Sequence, residues 1–464
     1  MFRRCYNVHI MNTTFLIALC LYLLIFIAVA VMDRRQVESF RDYVTAGKKQ
    51  GSSAVTMTLL ATVIGASSTI GVADTVNKID FPGIWWLLFG SIGLILQSLF
   101  LSEKIRATGA DTLPDLAGIT AGKGAETLLA LVIVISWIGV IAGQLAAMNS
   151  LLSFALGKSN RMISLIVSLV VILYTMLGGQ LSVVRTDRIQ LLIILVGMIL
   201  AFVYLYFVKG NTAAIPVELI NESYRPVNWF TQLFVIGGVY FLGPDILSRN
   251  FISRNEKTAK RSALMAGLIF AAFALVITMI GMWVRGNITA DELKDSGALM
   301  YVIGLLPGWA SVLILFALLS AILSSTDTCI INASAIFVKD ILKKDSVRLT
   351  RITVGVIGIL AVILVNIGRG DIMNLLTNAY SIYTPGVIFP LLVAILVSGK
   401  RKLRKPVWFA AVIGGGLVGL LNSYFPKFLP GIGVPAAVMP YITLIGMGIS
   451  LLLALFSIGE RETA

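Results

Sequence analysis

Histidine is almost absent from this chain: His9, in an N-terminal tail, is the single one among 464 residues. A histidine-based catalytic centre or proton relay in the body of the protein is therefore excluded. Cysteine is nearly as scarce. Cys5, Cys20 and Cys329 are the three present, and their spacing gives neither a disulfide framework nor a metal-ligand pattern. Charge is thin as well, with Asp, Glu, Lys and Arg at 13% against 58% hydrophobic residues. Soluble domains carry about twice that charged share. What remains is an integral membrane protein, and its apolar runs have the length of helices rather than of the short alternating strands of a barrel.

The net charge of +14 sits mostly in short loops between apolar runs, where membrane orientation explains it better than nucleic acid does. The basic stretches SRNFISRNEKTAKRSA and GKRKLRKP suit anionic lipid headgroups, at about 1 kcal/mol per charge. The expected surroundings are thus a lipid bilayer and a small-molecule substrate, with no nucleic acid and no obligatory protein partner evident.

The fold class expected is an all-α membrane protein of about thirteen transmembrane helices. The spans fall at about 13–32, 52–77, 83–102, 127–156, 162–177, 189–208, 229–247, 263–284, 309–338, 352–368, 372–397, 407–425 and 437–457. Connections such as 178–188 leave no room for a soluble domain, so residues 1–464 read as one membrane unit. The first apolar run is too long for a signal peptide and lacks a small-residue cleavage site. It reads as a retained helix, with Met11 as an alternative start that would drop residues 1–10. The loops after odd-numbered spans, with the C-terminal tail, hold 26 of the 37 Lys and Arg residues. The positive-inside rule then puts the N-terminus outside and the C-terminus in the cytoplasm, in a plasma (inner) membrane.

Two spans contain breaks. The second has Gly65 in the run GASST, and the seventh has Gly237, Gly238 and the Gly243-Pro244 pair. Five spans apart, these two helices run in opposite directions, as expected of inverted five-helix repeats whose discontinuous first helices bind ions and substrate. Glycine and proline are also simply common in membrane helices.

The richest stretch is Leu315 to Asp340, where Ser320, Ser324, Ser325, Thr326, Asp327 and Thr328 cluster inside an apolar span. Each such group is costly in hydrocarbon, so the cluster must face protein, water or a cation. Ser324, Asp327 and Thr328 share one face at i, i+3 and i+4, with Ser325 beside Thr328. Oxygen ligands without Cys or His suit a hard cation such as Na⁺. The competing reading has the hydroxyls bonding back to i−4 carbonyls and Asp327 meeting a neighbouring helix.

Asp187 lies between Arg185 and Arg188 and pairs with them by default. Were the sixth span to pack on the ninth, it would lie on the inward route of a cation. Asp245 is expected to cap its helix or anchor Arg249 and has no assigned role. Candidate solute contacts are Ser67, Ser68, Thr69, Gln144, Tyr240, Tyr380, Tyr383 and Thr384. No Arg or Lys is expected in the cavity, which leaves any substrate carboxylate to helix N-termini or the bound cation.

Three segments carry a family likeness: YTMLGGQLSVVRTDRIQ (174–190), GPDILSRNFISRNEKTAKRSALMAG (243–267) and LLSAILSSTDTCIINASAIFVKDI (318–341). With the span count and topology, the chain resembles the sodium:solute symporter family over nearly its full length. That resemblance implies a leucine-transporter-type fold, with a tail, extra helix and loop at 1–51, a first repeat at 52–208, an inverted second at 229–397, and two further helices and a tail at 407–464. It implies a Na⁺ site of the Ala61, Ile64 and Ala321 carbonyls with the Ser324 and Ser325 hydroxyls, and an exit-route acid at Asp187. The places that hold a second sodium in some members are occupied by Asp327 and Thr328. Ser67 and Ser68 stand where sugar-transporting members place glutamate and glutamine, which argues against a sugar.

The sequence thus reads as a Na⁺-coupled symporter that brings a small polar organic solute (amino acid, carboxylate or vitamin-like) into the cell by alternating access, with Na⁺ the co-transported ion. The alternative is a proton-coupled carrier using Asp327 or Asp187. A sensor would add a signalling domain, and an enzyme would need paired catalytic groups within the spans; neither is visible.

Overall fold

A computed structural model describes residues 3–157, 161–210, 216–293, 297–367 and 372–461. Among these, eleven helices are long and apolar enough to cross a membrane, or twelve if the bent pair Ser52–Val63 and Ser67–Ile79 forms one span. One of the eleven, Met162–Lys209, has 48 residues. At a rise of about 1.5 Å per residue it is more than twice the thickness of a bilayer core of about 30 Å. It contains the expected fifth and sixth spans and is interrupted at Gly179 (φ 63, ψ −162), so thirteen crossings remain an approximate count.

The expected loop at 178–188 is instead helical apart from that break. Its polar residues Gln180, Thr186 and Asp187 are buried against protein. Gly179 is required here for two reasons: its positive φ, and the approach of Tyr43, whose ring would lie 2.7 Å from an added Cβ. The Tyr43 hydroxyl donates to the carbonyls of Thr175 (3.2 Å) and Met176 (3.0 Å), which the break frees from the helix ladder.

Burial grades from centre to rim. The ninth span, Gly308–Ile341, and the eleventh, Ile372–Val397, are 72% and 78% buried over their most apolar windows, against 33% for the first, Phe15–Arg34. Outward-facing Ile17, Leu21 and Leu24 on the first span suit lipid, which solvates apolar side chains as readily as a protein core does. The ninth span packs extensively on Met162–Lys209 and on the fourth span, Ala125–Ala155, and also touches the first half of the second span.

Both expected breaks are present. The second span stops at Val63, passes Ile64 in a non-helical conformation (φ −90, ψ 72), and resumes at Ser67 with a 61° bend. The seventh runs Pro226–Leu242, extends through Gly243, and restarts as Pro244–Ile252. Pro244 suits that restart because its missing N–H is one the helix end leaves unpaired anyway. One feature departs from an all-helical reading: a short antiparallel pair, Arg401–Leu403 with Ile458–Arg461, ties the loop after the eleventh span to the C-terminal tail.

Candidate cation and solute site

The broken second span and the hydroxyl cluster of the ninth meet. Ser324 Oγ donates to the Ala61 carbonyl at 2.8 Å and lies 3.1 Å from the Ala321 carbonyl. Ser325 Oγ donates to the Thr62 carbonyl at 2.8 Å. Gly65 permits this approach, because an added Cβ would stand 2.5 Å from Ser325 Oγ. Other side chains satisfy the rest of the break: Ser68 donates to Val63 O, Thr69 to Gly65 O, and the Gln144 amide oxygen accepts from Ala66 N–H at 3.1 Å.

Of the five expected oxygens, those of Ala61, Ala321 and Ser324 are in direct contact, whereas the Ser325 hydroxyl is bonded to the Thr62 carbonyl, which was not in the expected set, and Ile64 sits at the break itself. The competing back-bonded reading holds for Thr326, whose hydroxyl goes to Ile322 O at 2.6 Å. Asp327 likewise meets a neighbouring helix, accepting from Tyr174 at 3.2 Å.

Around Asp187 the sequence-based expectations need correcting. Arg185 pairs with Asp33 rather than Asp187. Asp187 is fully buried, accepts from the Thr58 hydroxyl, and pairs with Arg249 at 3.3 Å. Arg249, counted among loop residues from the sequence, is 1% exposed and also donates to Thr62 Oγ1 (2.7 Å), Thr328 Oγ1 (2.6 Å) and Ser248 Oγ (3.1 Å). Arg249 thus reaches the core beside the site without lining the cavity described below, and Asp245 is not its ion-pair partner. The long helix 162–209 packs on the ninth span, as the exit-route reading of Asp187 requires.

Next to the junction is a small cavity of about 20 Å³, room for a water molecule in this conformation. Ser67, Gln144, Tyr240, Tyr380 and Ser325 line it, together with Thr62, Asp245, Ile246 and Cys329. Ser68, Thr69, Tyr383 and Thr384 are not in its lining. Their hydroxyls are committed to backbone carbonyls, Tyr383 to Leu242 O at 2.5 Å and Thr384 to Val235 O at 3.3 Å. Asp245 lines the cavity from the first turn of its half-helix, where the backbone N–H groups of Asp245 and Ile246 face its carboxylate as in a helix cap, and Oδ1 has no side-chain partner.

The profile of the sodium:solute symporter family matches residues 43–402. The chain belongs to that family. It is 26% identical to the high-affinity choline transporter 1 of Drosophila melanogaster, over 76% of this chain and 62% of that protein, so it spans under two thirds of that relative's length. It is 22% identical to the high-affinity proline transporter of Bacillus subtilis, over 86% of this chain and 91% of that one. A solved Na⁺-coupled sialic acid symporter, in a substrate-bound outward-open state, superposes with a TM-score of 0.76 at 16% identity, covering 98% of this chain and 99% of that chain. The fold is accordingly of the leucine-transporter type, with inverted repeats and discontinuous first helices.

This symporter also carries a charge cluster outside its spans. Asp111 pairs with Lys48 (2.8 Å), Arg41 (3.3 Å) and Lys339 (2.7 Å), the last at the foot of the ninth span. Burial opposes the Asp111 carboxylate, but the Lys339 and Lys48 ammonium groups outweigh it and hold its pKa at about 2. Sequence reasoning missed this cluster, along with Arg249 and the cavity role of Asp245. A usable signal for the last two is that Asp245 and Arg249 stand at i and i+4 in a half-helix whose Ile246, Leu247 and Phe251 are apolar on its other faces.

Proposed function

We propose that the protein couples inward movement of Na⁺ to uptake of a small organic solute bearing a positively charged nitrogen. The observation that carries this reading is the direct contact of Ser324 with the Ala61 carbonyl at the break of the second span. Na⁺, as a transported substrate, is held there by the carbonyls of Ala61, Ile64 and Ala321 and the hydroxyls of Ser324 and Ser325. This all-oxygen set suits a hard monovalent ion. Residues 52–208 and 229–397 act as the two repeats of one membrane unit in the plasma membrane, with the N-terminus outside and the C-terminus in the cytoplasm.

The solute class follows from Asp245. A buried carboxylate oxygen without a side-chain partner is costly in a membrane interior, and a cationic solute group relieves that cost. Tyr240 and Tyr380 add aromatic side chains to the same lining. Choline and proline, named for two of the relatives, both carry such a nitrogen. A simple monocarboxylate fits this wall poorly.

The Ser324→Ala, Ser325→Ala double variant is expected to insert normally and to lose Na⁺-dependent uptake; uptake that kept its Na⁺ dependence would sink the ion site. A thermal-shift screen of purified protein against amines, betaines, amino acids and monocarboxylates, with and without Na⁺, tests the solute class, because a ligand that binds the folded state raises its melting temperature. Cationic hits that vanish in Asp245→Asn support it, and hits confined to monocarboxylates reject it.

One observation favours proton coupling as a second reading: Asp327 Oδ1 is buried with no partner in the chain. Uptake driven by a pH gradient in Na⁺-free medium, and lost in Asp327→Asn, would decide for it.

A further inference from the structure

The sequence marks two basic stretches alike, and the structure separates them. In the first, Arg249 is buried against Asp187, and Lys260 pairs with Glu103 at 3.1 Å. In the second, Lys400, Arg401, Lys402, Arg404 and Lys405 are all exposed, and the strand pair Arg401–Leu403 with Ile458–Arg461 adds the exposed Arg461 to them. Among the described residues these two segments hold one acid, Glu460, and none of the six cations forms an ion pair.

The pairing register makes this arrangement costly. Arg401 stands directly opposite Arg461, and opposed residues of an antiparallel pair share one face, where like charges repel. A two-stranded ribbon has little stability of its own to set against that. One strand packs on the end of the eleventh span and the other on the last span, Ile442–Phe456. Leu396, Leu452, Leu455 and Phe456 near those two helix ends are exposed. Paired guanidinium forks bind phosphate oxygens well. A soluble anion would answer the arginines alone, whereas a phospholipid answers both the arginines and the apolar side chains beside them.

We propose that the strand pair is a binding site for an acidic phospholipid of the leaflet that the C-terminus faces. Its phosphate bridges Arg401 and Arg461, and its acyl chains lie along Leu396, Leu452, Leu455 and Phe456. The bound lipid offsets the repulsion between the arginines and so fastens the last span to the eleventh.

The test is native mass spectrometry of purified full-length protein titrated with dioleoyl phosphatidylglycerol or dioleoyl phosphatidylcholine. Wild type should retain the glycerol lipid in preference to the choline lipid. Losing two charge contacts in Arg401→Gln, Arg461→Gln should weaken phosphatidylglycerol binding about thirtyfold. Lys257→Gln, Arg261→Gln removes the same charge from the first basic stretch and should bind as wild type does. Without lipid, the Arg401→Gln, Arg461→Gln protein should melt no lower than wild type, since the opposed charges are gone. Equal phosphatidylglycerol affinity in wild type and the arginine variant, or an equal loss in the Lys257, Arg261 control, would overturn the site. Displacement of the lipid by inorganic phosphate would also overturn it, by showing that a soluble anion suffices.

Discussion

Gly65→Ala is the smallest change that drives the second and ninth spans apart at the junction. Gly65 has an ordinary negative φ, so the substitution adds no backbone strain; its whole effect is contact. The new Cβ would stand 2.5 Å from Ser325 Oγ, 3.1 Å from Ser325 Cβ and 3.1 Å from Gln144 Nε2. Ser325 must move by at least about half an ångström to restore even a tight contact. That breaks its 2.8 Å bond to the Thr62 carbonyl. Overpacking of this kind costs about 1–3 kcal/mol, and the lost hydrogen bond about 1 kcal/mol more. Because the displaced oxygen is one of the proposed Na⁺ ligands, a loss of that size in ion binding is roughly a thirty- to thousandfold rise in Kd. The assay is the Na⁺-induced shift in melting temperature of purified protein. Gly355→Ala is the control, since its added Cβ meets nothing within 4 Å. An unchanged Na⁺ response in Gly65→Ala would refute the junction as the ion site.

Asp111→Asn tests the charge cluster outside the membrane. The folded-state pKa of about 2 lies below the usual 3.8, so the stabilisation is complete above that usual value and drains away as pH falls from about 4 toward 2. Melting curves of wild type should decline over that window more steeply than those of Asp111→Asn, and equal slopes would show that the cluster contributes nothing. Gly179→Ala tests the tight link between the fifth and sixth spans. With φ at +63 and the Tyr43 ring 2.7 Å from the new Cβ, it should destabilise by more than about 2 kcal/mol. A wild-type melting temperature, with a normal yield of monodisperse protein on size-exclusion chromatography, would rule that out.

The legible parts of the molecule are those where a residue violates the rules of its surroundings. Hydroxyls at Ser324 and Ser325 inside hydrocarbon, and glycine or proline at Gly65 and Gly243-Pro244 inside helices, are expensive, and each marked a feature that the structure contains. The illegible parts are those where a residue obeys the rules of the wrong place. Gln180, Thr186 and Asp187 read as loop because their polarity suits water, but neighbouring helices bury them. Arg249 read as one more cytoplasmic anchor in a basic stretch, while the break at Gly243 turns its half-helix into the core. Sequence polarity says that a partner is needed, and it does not say whether that partner is solvent or another span. Among the candidate solute contacts the same ambiguity separated Tyr240 and Tyr380, which face the cavity, from Tyr383 and Thr384, which hold backbone carbonyls.

The junction also sets what the ion has to accomplish. Two serine hydroxyls bridge the spans in the structure, Ser324 to Ala61 and Ser325 to Thr62, and such bonds are worth about 1 kcal/mol each. Converting a 1:99 equilibrium between outward- and inward-facing forms into 99:1 needs about 5.5 kcal/mol of differential binding. The serine bridges alone fall short of that. A cation whose oxygens come from both spans can supply it, since parting the spans strips away one side of its coordination at once. Coupling therefore depends on ligands contributed by both the broken helix and the ninth span, and an ion held wholly by either one would bind equally in both forms and drive nothing.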